Sequence, residues 1–241
     1  MQNLIDTITY EFNRTFIREQ RWYTFLTGFK NTIIITLIAV AIGIVIGVVV
    51  ALVHNLVTEG LNPKRANAGT WLLRALDKVL SAYVALMRGT PLAIQLMIMA
   101  FIIMAGYSNK IAVCCLAFGI NSGAYVSEVI RGGLASVDKG QMEAGRSLGM
   151  RRITCMRLIV LPQALGTILP ALCNEGIAVL KETSIVGLIA VVDLTRASDL
   201  VRSRTLSPYF PMISVALVYF VLVFGLSKLV SRLEKRMARG R

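Results

Sequence analysis

Asn121, Tyr125 and Glu128 lie in one apolar stretch of the chain, and Glu175, Lys181 and Glu182 lie in another. A charge at the centre of a bilayer costs about 2.5–3.5 kcal/mol on insertion scales, so such side chains face a protein interior or a water-filled path. Positions 121, 125 and 128 share a helical face by their spacing of four and three, with Ser122 beside them. Lys181, Glu182, Thr183 and Ser184 put both signs of charge and two hydroxyls in consecutive positions. Groups of this kind bind a polar solute or relay protons. Bond-breaking chemistry lacks its parts. There is one histidine, His54, no HExxH, no GxSxG and no acidic pair at metal-ligand spacing, which argues against a membrane enzyme and a metal site. Cys114, Cys115, Cys155 and Cys173 match neither a CxxC metal site nor a redox pair, and read as packing residues.

The elements that position these residues are membrane spans. The chain has 241 residues, of which 56% are hydrophobic and only 16% charged; soluble domains carry roughly a quarter charged residues. Thr32–Val53 (22 residues) and Thr205–Ser227 (23 residues) contain no charge at all. A hydrocarbon core needs about 20 apolar helical residues. The expected architecture is an all-α integral membrane protein with five transmembrane helices, at about 30–53, 83–105, 111–130, 163–192 and 208–228. Residues 1–29 read as an amphipathic lead-in rather than a cleavable signal peptide, with Trp22, Tyr23, Phe25 and Phe29 as interfacial aromatics. Ala39, Gly43, Gly47 and Ala51 recur every four residues and mark a face for close helix packing. Asn62-Pro63 signals a turn in the polar stretch 54–80. The region 163–192 is long for one span, and Pro170 or Lys181-Glu182 could break it. Residues 231–241 form a basic tail.

The formal net charge is +13. On a soluble protein that would suggest nucleic acid. Here no aromatic-interleaved basic patch appears, and the charge reads as topogenic, with no nucleic-acid partner expected. Lys and Arg number five in 54–88, six in 131–162 and six from Lys228 onward; 1–30, 106–110 and 193–207 hold four, one and three. Seventeen against eight places the N-terminus outside and the C-terminus in the cytoplasm.

One of the basic stretches, GQMEAGRSLGMRRITCMRLIVLPQALG at 140–166, interrupts the apolar runs. Gln141–Gly149 can form a short helix with Glu143 in its first turn, favourable against the helix dipole. Gly145 and Gly149, four apart, suggest a face without side-chain bulk, and Leu161-Pro162 reads as the stop. Such a segment is either an interfacial helix resting on lipid or a lever pushed by a soluble partner.

The residues Glu143-Ala144-Gly145, Gly149, Ile159 and Leu161-Pro162 follow the spacing EAA-x3-G-x9-I-x-LP, with Gly145 in place of the third-position Ala. The segment resembles the EAA loop of bacterial ABC importer permeases. Met87-Arg88-Gly89-Thr90-Pro91-Leu92 with Gln95, Asn121-Ser122-Gly123-Ala124-Tyr125 with Glu128, and Leu180-Lys181-Glu182-Thr183-Ser184 are similar to the polar amino-acid subfamily, which usually has Asp where Glu182 stands. The resemblance covers about 30–230.

It implies a transmembrane permease subunit of type I fold in the bacterial cytoplasmic (inner) membrane. A second permease copy, identical or paralogous, would complete the pathway. A cytoplasmic ABC ATPase dimer would drive it, and an extracytoplasmic binding protein would deliver a polar amino acid. The loop at about 136–162 would hold a cytoplasmic coupling helix between the third and fourth spans, with Glu143, Ala144, Gly145, Ser147, Leu148, Gly149, Arg152 and Pro162 as the ATPase-coupling residues. Asn121, Ser122, Tyr125, Glu128, Lys181, Glu182 and Thr183 would line the substrate pathway. The chain has no GxxxxGK[ST] phosphate loop, so ATP and Mg are expected on the ATPase partner alone. The alternative is a stand-alone ion-coupled carrier or channel using Lys181 and Glu182. Glu128 is also three residues from Arg131, and Lys181 is close in sequence to Glu175 and Glu182, so ordinary ion pairs remain open for both.

Overall fold

Two glycine-bearing helices form the centre of the fold, here described for residues 2–60 and 68–238 from a computed structural model. In α2 (Trp22–Asn55), Ala39, Gly43, Gly47 and Ala51 are buried, and the two glycines face α5 (Lys110–Ala135). A Cβ on Gly43 would come within 2.8 Å of Ser122 Oγ, and one on Gly47 would collide with Val126. The reverse also holds: a Cβ on Gly119 or Gly123 of α5 would meet Ile42 or Ile46 at 2.6–2.7 Å. Close approach of backbones replaces the hydrophobic drive that lipid does not supply.

Around this pair stand α3 (Ala68–Gly89), α4 (Leu92–Ile98), α8 (Leu161–Glu182) and α10 (Phe210–Ala238). Among the described residues, four helices are long and apolar enough to cross a membrane: Trp22–Thr58, Lys110–Ala135, Arg152–Ile189 and Phe210–Met237. The fifth crossing exists only as a bent pair, Ala68–Gly89 and Leu92–Ile103, whose axes differ by 111°. The span expected at about 83–105 is therefore not one continuous helix but the second part of this bent pair. Pro91 has no N–H and disfavours helix at the residue before it, and it sits in extended conformation as the cap of α4.

Leu161-Pro162 does not stop a helix. α7 (Arg152–Cys155), a π turn at Met156–Val160 and α8 are continuous, and the Leu161 amide bonds back to Met156 O. A π turn of this kind absorbs a residue whose ordinary hydrogen bond is missing. Pro170 is buried inside α8 without breaking it, and the change to tighter 3-10 winding comes at Thr183–Ile189, directly after Lys181-Glu182.

The lead-in divides into α1 (Gln2–Phe12) and two short turns, and α2 already starts at Trp22. The stretch read as a charged loop after 192 contains the helix α9 (Leu194–Thr205). Asp193 caps it, accepting from Thr195 N and Arg196 N at 2.9 Å each. Asn31 Nδ2 donates to Val192 O at 2.8 Å, and Gly28 lets the Asp193 backbone reach α2. The Asn62-Pro63 turn and tail residues 239–241 lie outside the described residues.

Candidate functional site

At the end of the bundle opposite α9, α6 (Lys139–Ser147) is a separate short helix. Asp138 is its N-cap, with the side chain accepting from Gly140 N at 2.6 Å. Asp138, and not Glu143, thus meets the positive end of the helix; Glu143 falls in the second turn. The C-terminus closes with Gly149 N to Arg146 O at 3.0 Å and Met150 N to Gly145 O at 3.1 Å, a Schellman turn that places Gly149 at φ 83°.

Neither glycine forms the smooth outer face expected from their spacing. Gly145 is buried, and a Cβ there would lie 2.6 Å from Cys155 Sγ and 3.1 Å from Ile159 Cδ1, so it seats α6 against the following helix. Gly149 is required by its backbone angle, with nothing within 4 Å of its Cβ position. A bulky residue at 149 would strain the turn before it met any partner. What α6 and its flanks do present is Glu143, Ala144, Ser147 and Leu148. Leu148 is 85% exposed and Ile153, just beyond the turn, 81%. Arg152 is half-buried and Pro162 is exposed in the first turn of α8.

In the bundle interior, the stripe Asn121, Tyr125 and Glu128 converges on the α3–α4 break. Asn121 Nδ2 donates to Met87 O at 3.1 Å and to Gln95 Oε1 at 2.9 Å. Gln95 Nε2 in turn reaches Met87 O at 2.9 Å and Thr90 Oγ1 at 2.7 Å. Asn121 is buried and holds the broken backbone rather than facing open space. Arg88 lies over the Tyr125 ring, 5.6 Å from its centroid, and its Nη1 is 3.2 Å from Glu128 Oε2. Arg131 grips the same carboxylate with two bonds of 3.0 and 2.7 Å, so the expected i,i+3 pair is present along with an unexpected second arginine.

Ser122 is buried, its hydroxyl donating to Glu175 Oε1 at 2.8 Å. Thr183, expected on the pathway, is fully buried and donates to Leu180 O at 2.7 Å, which turns it away from any open path in this chain. Lys181 and Glu182 are exposed on α8. The structure therefore brings Tyr125 and Glu128 together around Arg88, sets Asn121 on the neighbouring break, and places Lys181 and Glu182 on the exposed side of α8. Arg88 and Gln95, quoted in the sequence only as parts of a motif, join the cluster. Their proximity to Thr90-Pro91 was the available signal, because a break exposes carbonyls that nearby polar groups must satisfy.

A family profile described as the binding-protein-dependent transport system inner membrane component matches residues 66–239. A protein of Rickettsia felis named for a glutamine transport system permease is 41% identical over 168 residues, 68% of this chain and 77% of that one. The L-cystine transport system permease protein of Bacillus subtilis is 36% identical over 170 residues, 69% of this chain and 73% of that one. Among solved structures, an amino acid ABC transporter crystallised with histidines aligns over 96% of this chain and 97% of its own, with TM-score 0.78 and 35% identity. An inward-facing methionine ABC transporter aligns with TM-score 0.75 at 19% identity, a likeness of fold alone.

Proposed function

Because the chain belongs to the family of binding-protein-dependent transport system inner membrane components, we propose that α6 is the surface on which an ATPase pushes. The chain is the multi-pass permease subunit of an ATP-binding-cassette importer of a polar amino acid, and the stand-alone carrier is the less supported reading. ATP and Mg act on the ATPase subunits, a second permease copy completes the path, and an extracytoplasmic binding protein supplies the solute. The α6 end faces the cytoplasm and the α9 end faces outward. Tyr125, Glu128, Lys181 and Glu182 belong to the solute path, and Asn121 holds the α3–α4 break behind it.

The observation that carries this reading is the mounting of α6. It is capped at both ends, seated through Gly145 on Cys155, and joined by one turn to a helix that continues unbroken through Ile189. A push on such an element moves the span instead of bending the loop. Leu148 and Ile153 are the apolar anchors a partner groove would desolvate. The test is Leu148→Asp in proteoliposomes with the ATPase and the binding protein. Uptake is expected to fall at least tenfold, because a buried unpaired carboxylate opposes docking, while membrane insertion is unchanged. Uptake at the wild-type rate would reject the docking surface, and uptake by the chain without any ATPase would restore the carrier.

A further inference from the structure

A groove of about 440 Å³ runs between the 3-10 segment Thr183–Ile189, α9 and the first turns of α10. Its walls are apolar, with Ile185 and Leu188 on one side and Met212 and Val215 on the other. Leu188 and Met212 are each 53% exposed. Two kinds of polar group break this lining. Ser198, on the α9 wall, is buried, yet its Oγ has no hydrogen-bond partner among the described residues. Arg196 and Asp199 also line the groove, and both side chains are partly exposed. Asp199 is shared: Arg196 Nη1 reaches its Oδ2 at 3.0 Å, and Arg202 Nη2 reaches its Oδ1 at 2.6 Å. One carboxylate between two guanidiniums leaves a cation in excess at this end of the groove.

The depth of the groove selects among ligands. α10 supplies the span Phe210–Met237, of which Met212 and Val215 are the third and sixth residues. At about 1.5 Å per residue they lie within about 8 Å of its end, where headgroups give way to hydrocarbon. Next to Met212 begins an exposed apolar stripe, Ile213, Leu217 and Phe220, spaced by four and three along the same helix. Walls apolar toward the span and cationic toward α9 match a molecule with an apolar chain and an anionic head. The hydroxyl adds a third requirement. Left without a partner in a buried place, it is destabilising. An ester carbonyl, an acceptor with no donor of its own, relieves it after one staggered step of the serine χ1.

We propose that this groove binds one anionic phospholipid of the surrounding bilayer. Its acyl chain lies between Leu188 and Met212, a glycerol ester carbonyl accepts from Ser198 Oγ, and its phosphate meets Arg196. Asp199 keeps its bonds to Arg202 in this arrangement, so no carboxylate loses its last partner. A lipid seated here touches three elements at once: the 3-10 end of the long helix, α9 and α10. The site needs only that α10 spans the membrane, and is independent of the solute carried.

The experiment puts the photocrosslinker p-benzoylphenylalanine in place of Met212 in the permease–ATPase complex. The nanodiscs contain phosphatidylethanolamine with a minor share of phosphatidylglycerol, and the binding protein is present. The same crosslinker in place of Leu217 samples ordinary surrounding lipid. After illumination, mass spectrometry of the permease chain is expected to find phospholipid adducts at both positions. Phosphatidylglycerol should be enriched about fivefold at 212 over 217, the contribution of one guanidinium facing an anionic headgroup. Arg196→Gln brings that enrichment close to one, and Arg196→Lys keeps part of it. Ser198→Ala lowers the yield of every phospholipid adduct at 212 severalfold while the headgroup ratio stays. A merely structural disturbance of α9 would move yield and ratio together in both variants. Equal headgroup ratios at 212 and 217, or an enrichment that survives Arg196→Gln, overturn the proposal. So does an adduct at 212 with a second permease copy or with the binding protein in place of lipid.

Discussion

Gly145 shows how a single missing methyl group decides the mounting of a helix. The family pattern has Ala at this position, yet here a Cβ would sit 2.6 Å from Cys155 Sγ. Gly145→Ala should therefore destabilise the assembled importer by about 1–3 kcal/mol, the usual range for overpacking. Adding Cys155→Ala removes the sulfur and leaves Cys155 Cβ at 3.6 Å and Ile159 Cδ1 at 3.1 Å as the nearest atoms. The double variant should recover at least half of the lost melting temperature, and additive losses would show that the two residues are not coupled. Asp193 carries a second residue-scale consequence. Burial raises its carboxyl pKa above the usual 3.8, although the amides of Arg196 and Thr195 pull the other way. A raised value means that the fold favours the protonated form, so this stabilisation is complete below pH 3.8 and is lost as pH rises through the folded value. Asp193→Asn cannot ionise, so the wild type should lose melting temperature across that interval relative to the variant; parallel curves would reject the shift. The sequence marked Glu143 and Gly149 by spacing, but their physical roles were not legible. Which residue caps α6, and which glycine turns inward, depends on where the Cys155 helix returns.

At the scale of elements, the α3–α4 bend depends on residues of a third helix. Hydropathy alone runs from Tyr83 to Ala105 as one stretch, interrupted by Arg88-Gly89-Thr90-Pro91. The proline explains a weak point in the helix but not a bend of 111°. Asn121 of α5 and Gln95 of α4 supply the donors that freed carbonyls require, at Met87 and Thr90. If these bonds set the bend, Pro91→Ala should leave the distance between spin labels at 80 and 98 unchanged. Gln95→Leu should shift it and cost about 1–3 kcal/mol for the carbonyls left unpaired. A label distance that follows Pro91→Ala instead would make the proline the cause. The same reasoning explains the opposite error at Leu161-Pro162, where proline read as a stop and the helix continued. There the π turn at Met156–Val160 satisfies the backbone locally, and no sequence period announces it. The small-residue stripe of α2 was legible because its spacing is a property of one helix; the answering glycines of α5 required the pair.

For the whole molecule, the uneven placement of Lys and Arg becomes a statement about two ends of a bundle. Leu148, in the turn after α6, and Leu206, just after α9, are both more than four-fifths exposed and lie at opposite ends of the long helix Arg152–Ile189 and its flanks. At about 1.5 Å per residue that helix is roughly 55 Å long, enough to carry its two ends beyond a hydrocarbon core of about 30 Å. Six Lys and Arg in 131–162 against three in 193–207 are the ground for the proposed cytoplasmic placement of the Leu148 end. The native thiols allow a direct measurement, since Cys114, Cys115 and Cys155 are buried and only Cys173 is exposed. In a Cys173→Ala background, Leu206→Cys should react with a membrane-impermeant maleimide in spheroplasts, and Leu148→Cys only after permeabilisation. Reaction of Leu148→Cys in sealed cells would put α6 on the outer side, where no nucleotide-driven partner could reach it. Transport would then have to be driven by gradients acting on Lys181 and Glu182, so the orientation of one exposed leucine separates the two mechanisms for the entire chain.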